Sequence, residues 1–294
     1  MKKYSLMLLA IMMAFTVGAQ TKNDYNLLVH QKDGKVVTYD AAEVDSISFL
    51  EMPAFNTGDD FVIEPAEITS SVLKVNIVPK DKNITYYSCF TDQTGYGRAW
   101  DVYGSIFNMD KEWWVYVASL YSKKWTDILP SQVNKGDYTM DGGTDYGFIL
   151  WDHEYYAYCY GLSLEGEITT PIYMQKYKTL SPTPSENKIT VESVTPGEDG
   201  KVMVKISTTN DDPYYVGAQK KNYIDSWVKD LGSNEAMFKN LISQQHPTPQ
   251  YIHKGSQEIE LYCATKNADY QVIICGYNGG PTTEIQLVPF RTNP

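Results

Sequence analysis

The sequence predicts a mainly β protein: two tandem β-sandwich domains with short helical inserts, preceded by a small N-terminal β-hairpin segment. Three observations predict this. The chain writes nearly the same ending twice, "YYAYCYGLSLEGEITTPIYMQKYKT" closing on Thr179 and "DYQVIICGYNGGPTTEIQLVPFRT" closing on Thr292, 113 residues later. Ahead of each ending lies a run of alternating apolar and polar residues, the period of a half-buried strand. Between run and ending, the apolar spacing shifts to threes and fours, the period of a helix.

At the N-terminus, Lys2 and Lys3 precede an apolar run from Leu6 to Phe15, and Val17-Gly18-Ala19 follows it. Such a run is too short to span a bilayer, and its small-x-small ending suits signal peptidase. Residues 1–19 are therefore expected to be a cleaved secretory signal, with the cut before Gln20. Export to the periplasm, the outer cell surface or the extracellular space follows from it. No cysteine stands directly after the run, so a lipid anchor is not expected. Losing two lysines moves the formal charge from -11 to -13. An acidic chain without a Lys/Arg cluster is a poor partner for nucleic acid, because phosphate contact needs basic side chains to displace counterions. No later apolar run reaches the length of a transmembrane segment.

Residues 20–52 hold "YNLLVHQKDGKVVTYDAAEVDSISF", in which Asp33-Gly34 is a hairpin turn signal between two apolar runs. "EVDSISF" reads as a further short strand. A segment this small buries no useful core alone, so it is expected to dock on a neighbour or a partner. "MPAFNTGDD" and "SPTPSEN" read as linkers and set the expected domains at 60–180 and 187–294.

Each domain opens with an alternating run, "SSVLKVNIVPKDK" in the first and "DGKVMVKISTTND" in the second. "NITYYSCF" then matches "DDPYYVGA", and "NKGDYTM" matches "HKGSQEI". In the endings Tyr155, Gly161, Thr169, Thr170 and Thr179 align with Tyr270, Gly276, Thr282, Thr283 and Thr292. The order strand, strand, insert, strand and closing hairpin therefore occurs twice.

The inserts are expected at about 97–128 and 221–245. Trp100, Tyr103 and Phe107 make a helical stripe that Trp114, Val117, Tyr121 and Ile128 continue. Tyr223, Trp227 and Leu231 make one stripe in the second copy, and Met237, Phe238, Leu241 and Ile242 another. Asp110 and Ser233 are the expected N-caps of the second helix in each pair. These stripes must be buried, and Tyr156, Tyr158 and Tyr160 on one side of the penultimate strand offer a surface.

A tyrosine opening that strand, with small or aliphatic residues at every second place, resembles the F strand of fibronectin type III-like and Ig-like sandwiches. The resemblance implies a tyrosine corner, in which the ring hydroxyl bonds back to nearby backbone. "LSLEGE" and "YNGG" with the strands after them resemble the family's F–G hairpin. The whole layout is similar to tandem sandwich proteins exported by gut bacteria, a resemblance that implies no reaction.

Candidate chemistry is sparse. Cys89, Cys159, Cys263 and Cys275 form no CxxC pair; export permits disulfides, and buried free thiols are the other reading. Asp152, His153 and Glu154 are adjacent on an extended segment, so they point to opposite faces and do not converge on a substrate. Asp141 and Asp145 in "MDGGTD" lack calcium-loop spacing, and His246 and His253 match no metal motif. No catalytic residue, metal or cofactor is expected. The aromatic load stands out: 24 tyrosines, 9 phenylalanines and 6 tryptophans. One of the adjacent Trp113 and Trp114 must face away from the core, so Trp113, Tyr121 and Trp125 are the candidate binding residues for a glycan or a cell-surface protein. The competing reading is that these rings fill the helix–sheet interface. The expected function is a non-catalytic exported binding or scaffolding protein of the bacterial envelope. The alternatives are a secreted glycan hydrolase, which needs two carboxylates about 5–10 Å apart in a cleft, and a structural spacer.

Overall fold

A computed structural model describes residues 26–30, 35–40, 55–246 and 249–294. The expected secretory signal, the Asp33-Gly34 turn and the "EVDSISF" strand lie outside the described residues. Strands β1 (Asn26–His30) and β2 (Val36–Asp40) pair antiparallel, with Asn26 opposite Asp40 and His30 opposite Val36. They belong to a unit that ends at Pro53; residues 54–294 form a second compact unit.

That second unit contains two sandwiches with the same strand order. In the first, β3 (Phe61–Ile68), β4 (Leu73–Pro79) and β7 (Tyr138–Asp141) form one sheet, with β4 central. The other sheet runs β6 (Asn134–Lys135), β5 (Thr85–Asp92), β8 (Glu154–Gly161), β9 (Tyr173–Lys178). In the second copy β10 (Ile189–Pro196), β11 (Lys201–Thr208) and β14 (Gln257–Tyr262) face β13 (Ile252–His253), β12 (Tyr214–Lys220), β15 (Asp269–Gly276) and β16 (Gln286–Arg291) in the corresponding order. The opening strand of each copy carries a bulge, at Pro65/Glu67 and at Val191/Ser193. This is the fibronectin III-like tandem that the two endings predicted.

The alternation in the sequence is the burial pattern. Leu73, Val75 and Ile77 meet Tyr86, Ala157 and Cys159 in the first core. Val202, Val204 and Ile206 meet Val216, Val272 and Ile274 in the second. Each such aliphatic side chain contributes about 1.5–3 kcal/mol on burial.

Why the ending is written twice is answered by its hydrogen bonds. Tyr155 Oη accepts from Leu150 N at 2.9 Å and Tyr270 Oη from Thr265 N at 3.3 Å, both five residues back. Gly161 N donates to Thr170 Oγ1 and Gly276 N to Thr283 Oγ1, each at 2.8 Å. A Cβ on Gly161 would stand 2.3 Å from the Thr169 hydroxyl, and one on Gly276 2.4 Å from that of Thr282, so only glycine closes the hairpin. Thr179 Oγ1 accepts from His153 N at 3.0 Å and donates to Leu150 O at 2.6 Å. Thr292 Oγ1 accepts from Ala268 N at 2.9 Å and donates to Thr265 O at 2.8 Å. Both threonines are buried. Thr179→Val and Thr292→Val should each lose about 1–3 kcal/mol, because valine keeps the shape but strands two backbone groups. Urea unfolding checks this; a neutral result at one site alone would show that the two closures are not equivalent.

The helices leave the strand with no intervening loop. Helix α1 (Gln93–Asp101) starts at the end of β5, capped by Asp92, whose carboxylate accepts from Gly95 N at 2.8 Å. Gly104, with φ +74°, ends the connection, and Ser105 caps α2 (Ile106–Ser119) by accepting from Asn108 N at 3.0 Å. Asp110 is therefore not a cap. It lies inside α2 and is buried, because the extended residue that a cap requires is Ser105. The stripe read through Trp100, Tyr103 and Phe107 spans this break. A 3-10 turn follows at Trp125–Ser131.

In the second copy α3 (Lys221–Leu231) leads to α4 (Asn234–Gln245), capped by Ser233 as expected. Met237, Phe238, Leu241 and Ile242 are buried. Tyr223 and Leu231 are exposed, and α3 is anchored instead through Ile224, Trp227 and Val228. Trp227 fits both stripes, so spacing alone could not choose between faces one residue apart.

Both helix pairs cover the outer face of their four-stranded sheet. Tyr158 and Tyr160 are buried against Ile106, Trp114 and Leu129. Tyr156 stacks on Tyr96 at 4.7 Å. The loop before β8 reaches further: Trp151 is buried among Ile224, Met237 and Phe238 of the second copy. All four cysteines are free thiols, three of them buried. Among the described residues no helix is long and apolar enough to cross a membrane.

Candidate functional site

The first copy carries a groove along the outer edge of β5. Strand β6 pairs with β5 only at Thr85 and Tyr86. Beyond them, the stretch from Tyr87 to Thr91 lines an open pocket of ≈ 540 Å³. Helix α2 supplies one wall through Met109, Asp110 and Trp113; Ser131, Gln132 and Asn134 supply another. Tyr138 with Asp145 and Tyr146, from the π-turn Gly142–Tyr146, closes the far side. A volume of this size suits a small ligand or one or two side chains of a larger one.

Asp110 is the unusual group. It is 5% exposed, yet it carries a carboxyl into the aromatic layer between α2 and β8. Tyr158 Oη donates to its Oδ1 at 2.7 Å and Tyr160 Oη to its Oδ2 at 2.9 Å. Burial pushes the Asp110 carboxyl up to about 7, and the two tyrosine hydroxyls pull the other way. The Tyr158 and Tyr160 hydroxyls are themselves held well above the usual phenol range, first by burial and then by the Asp110 charge. Burial likewise pushes the Cys89 thiol up to about 11. Around them Tyr87 meets Trp114 edge-on at 4.8 Å, and Asn134 Nδ2 donates to Ser88 Oγ at 3.1 Å. Asp145 accepts from Tyr138 Oη at 3.0 Å and from Asp141 N at 2.7 Å.

The structure does not bring the three candidate aromatics together. Trp113 stands at the groove, 56% exposed, beside the equally open Tyr116 at 5.7 Å. Tyr121, 69% exposed, follows the C-terminal end of α2 and does not line the groove. Trp125 stacks on the buried Trp114 at 5.9 Å, and its ring occupies the space where Gly166 lacks a Cβ. Trp125 is thus half-buried in the packing between helix and sheet. Asp110 was missed. Its signal is the run Ile106, Asp110, Trp114, Ala118, four apart on the buried face of α2, which places a carboxylate in mid-stripe.

The polar loop of the sequence divides among separate partners. Asp152 pairs with Lys178 at 2.6 Å, Glu154 with Lys176 at 2.8 Å, and His153 Nε2 lies 3.6 Å from Asp92 Oδ2. The His153 contact holds the Asp92 carboxyl below its usual range. Among the described residues no group of three His, Cys, Asp or Glu stands where it could hold a metal ion.

No family model and no curated protein matches the chain. Among solved structures it is similar to a two fibronectin type III domain segment from chicken tenascin, with TM-score 0.24 and 12% identity over 79% of this chain and 98% of that one. It is also similar to the central fibronectin-III array of RIM-binding protein, with TM-score 0.20 and 8% identity over 90% of this chain and 73% of that one. At these scores the strand order, not the likeness, carries the fold assignment.

Proposed function

We propose that the protein is a non-catalytic exported binding or scaffolding protein of the bacterial cell envelope, and that its ligand lies in the groove along β5. Export rests on the basic, apolar and small-residue order of residues 1–19. Binding rests on one observation above others: Trp113 is held largely in solvent on a well-packed helix, at the rim of a ligand-sized pocket. A large ring kept out of the core on a rigid element is what recognition of sugars or peptides uses. The ligand is a glycan or a protein segment.

The hydrolase reading has one observation in its favour, since Asp110 and Asp145 line the same groove. Both oxygens of Asp110 are engaged by tyrosine hydroxyls, and Asp145 is engaged by Tyr138 and Asp141 N. Hydrolysis needs one carboxyl to donate a proton to the leaving group; Asp110, accepting from both tyrosines, is set as an acceptor, so binding is the better-supported reading.

A glycan and peptide array tests it, with Trp113→Ala beside the wild type. The expected result is signal on one defined class that the variant loses by tenfold or more. Its unfolding free energy should stay within about 0.5 kcal/mol of wild type, as for most surface changes. Equal signal from both proteins, or turnover of an arrayed glycan, overturns the proposal; silence on every class favours a spacer.

A further inference from the structure

We infer that the groove beside β5 is a site for an organic cation, an alkylammonium or guanidinium group carried on a basic peptide or on a free amine. The inference rests on the groove being the ligand site, and it names that ligand's chemistry.

The lining is one-sided in charge. Asp110 and Asp145 reach it, and among the described residues no lysine, arginine or histidine does. Lys111, next to Asp110 on α2, is spent elsewhere, its ammonium 5.3 Å over the Trp125 ring. The remaining walls are largely aromatic, with Tyr87, Tyr138, Tyr146, Tyr158 and Trp113 around the same space. Ring faces carry negative quadrupole density, and a cation near several of them gains most when it is partly desolvated.

Asp110 also has capacity left over. Each carboxylate oxygen can accept two hydrogen bonds, and each holds one from a tyrosine. The groups packed against it are Tyr158 and Tyr160 from β8 and Tyr87 and Cys89 from β5, and Asp145 is the other charged group that lines the pocket. None of these supplies a positive charge. A buried carboxylate without a counter-charge is costly to the fold, and an incoming ammonium or guanidinium supplies what is missing.

The duplication provides an internal comparison. With Gly161 aligned on Gly276, Tyr158 and Tyr160 correspond to Ile273 and Cys275. The helical layer of the second copy is built of apolar and aromatic side chains around Ile224, Met237, Phe238 and Leu241. The same architecture therefore closes without a carboxylate and its two tyrosines. The trio is dispensable to the sandwich, and in the first copy two of its members, Asp110 and Tyr158, line a pocket.

Isothermal titration with three probes tests the inference: an alternating Val-Lys heptapeptide, spermidine, and an alternating Val-Glu heptapeptide. The expected result is binding of at least one cationic probe and none of the Val-Glu peptide. Which cationic probe binds identifies the carrier. Asp110→Asn, which keeps the side-chain shape, should weaken that binding at least tenfold, as should Trp113→Ala; Asp145→Asn should weaken it less. Binding should tighten between pH 6 and pH 8 as Asp110 ionises. No binding of either cation, equal binding of the Val-Glu peptide, or full binding by folded Asp110→Asn overturns the inference. A Trp113-dependent array signal on neutral glycans alone would overturn it too, while leaving the proposed binding function intact.

Discussion

Replacing Trp151 with alanine should lower stability by about 3–5 kcal/mol and separate the unfolding of the two sandwiches, the loss usual for removing a large buried aromatic side chain. Trp151 is 1% exposed and belongs to the cluster under the second copy's helices. Its ring lies 6.0 Å from Phe238, and the Lys239 ammonium stands 5.3 Å over it while donating to Asp152 O at 3.1 Å. A Cβ on Gly280 would come within 2.6 Å of the indole, so the second copy's closing turn is shaped around this ring. The loop that carries it is pinned to the first sandwich at Leu150, by Tyr155 and by Thr179. Trp151 is thus fixed at one end and buried at the other. Each sandwich also has a closed core of its own. Without the indole the two cores should melt at different denaturant concentrations, which breaks two-state behaviour. Urea titration followed by fluorescence and by far-ultraviolet dichroism would show non-coincident curves. A single coincident transition shifted by under about 1 kcal/mol would refute this account.

The second large effect is a pH dependence centred on Asp110. Its carboxyl is held at about 7 in the folded state, against 3.8 as the ordinary value. The folded protein therefore retains a proton that the unfolded chain releases. Stability from this group is fully present below about pH 4 and falls as pH rises to about 7, by up to about 4 kcal/mol at 1.36 kcal/mol per pKa unit. Asp92 acts in the opposite direction, since His153 lowers its folded pKa and its contribution is lost as pH falls. The informative quantity is thus the difference between wild type and Asp110→Asn. Asparagine cannot ionise, so the variant should gain about 2–4 kcal/mol relative to wild type between pH 5 and pH 8. Urea midpoints at three pH values measure it; a constant difference would remove the buried-carboxylate account. A bound cation should flatten the same slope, which links this experiment to the titration with amines.

Much of the architecture was legible because duplication repeats local chemistry. The Tyr-x-small-x-small strand and the paired threonines mark the same backbone bonds in both copies, and each bond closes over a few to some thirty residues. The helix pairs showed as a change of period. Legibility failed where two local readings share one signature. An aspartate near a helix start reads as a cap, and one in mid-stripe reads as a buried charge; Asp110 fits both signatures, and the structure makes it the second. Its partners Tyr158 and Tyr160 lie 48 and 50 residues away. Trp113 and Trp125 look alike in sequence, and Gly166, which admits the Trp125 ring, stands 41 residues further on.

By itself, then, the amino-acid order determined the tandem, the strand alternation, the hairpin closures and the presence of two helices in each half. Period and turn chemistry act between residues close along the chain, and a reader of the chain sees them directly. Tertiary structure alone decided that Asp110 lies under two tyrosines, that Trp113 rather than Trp125 reaches the groove, and that Trp151 fills the neighbouring sandwich. Those outcomes depend on which distant surfaces come to share a volume, and packing in three dimensions selects among faces that local spacing leaves equivalent.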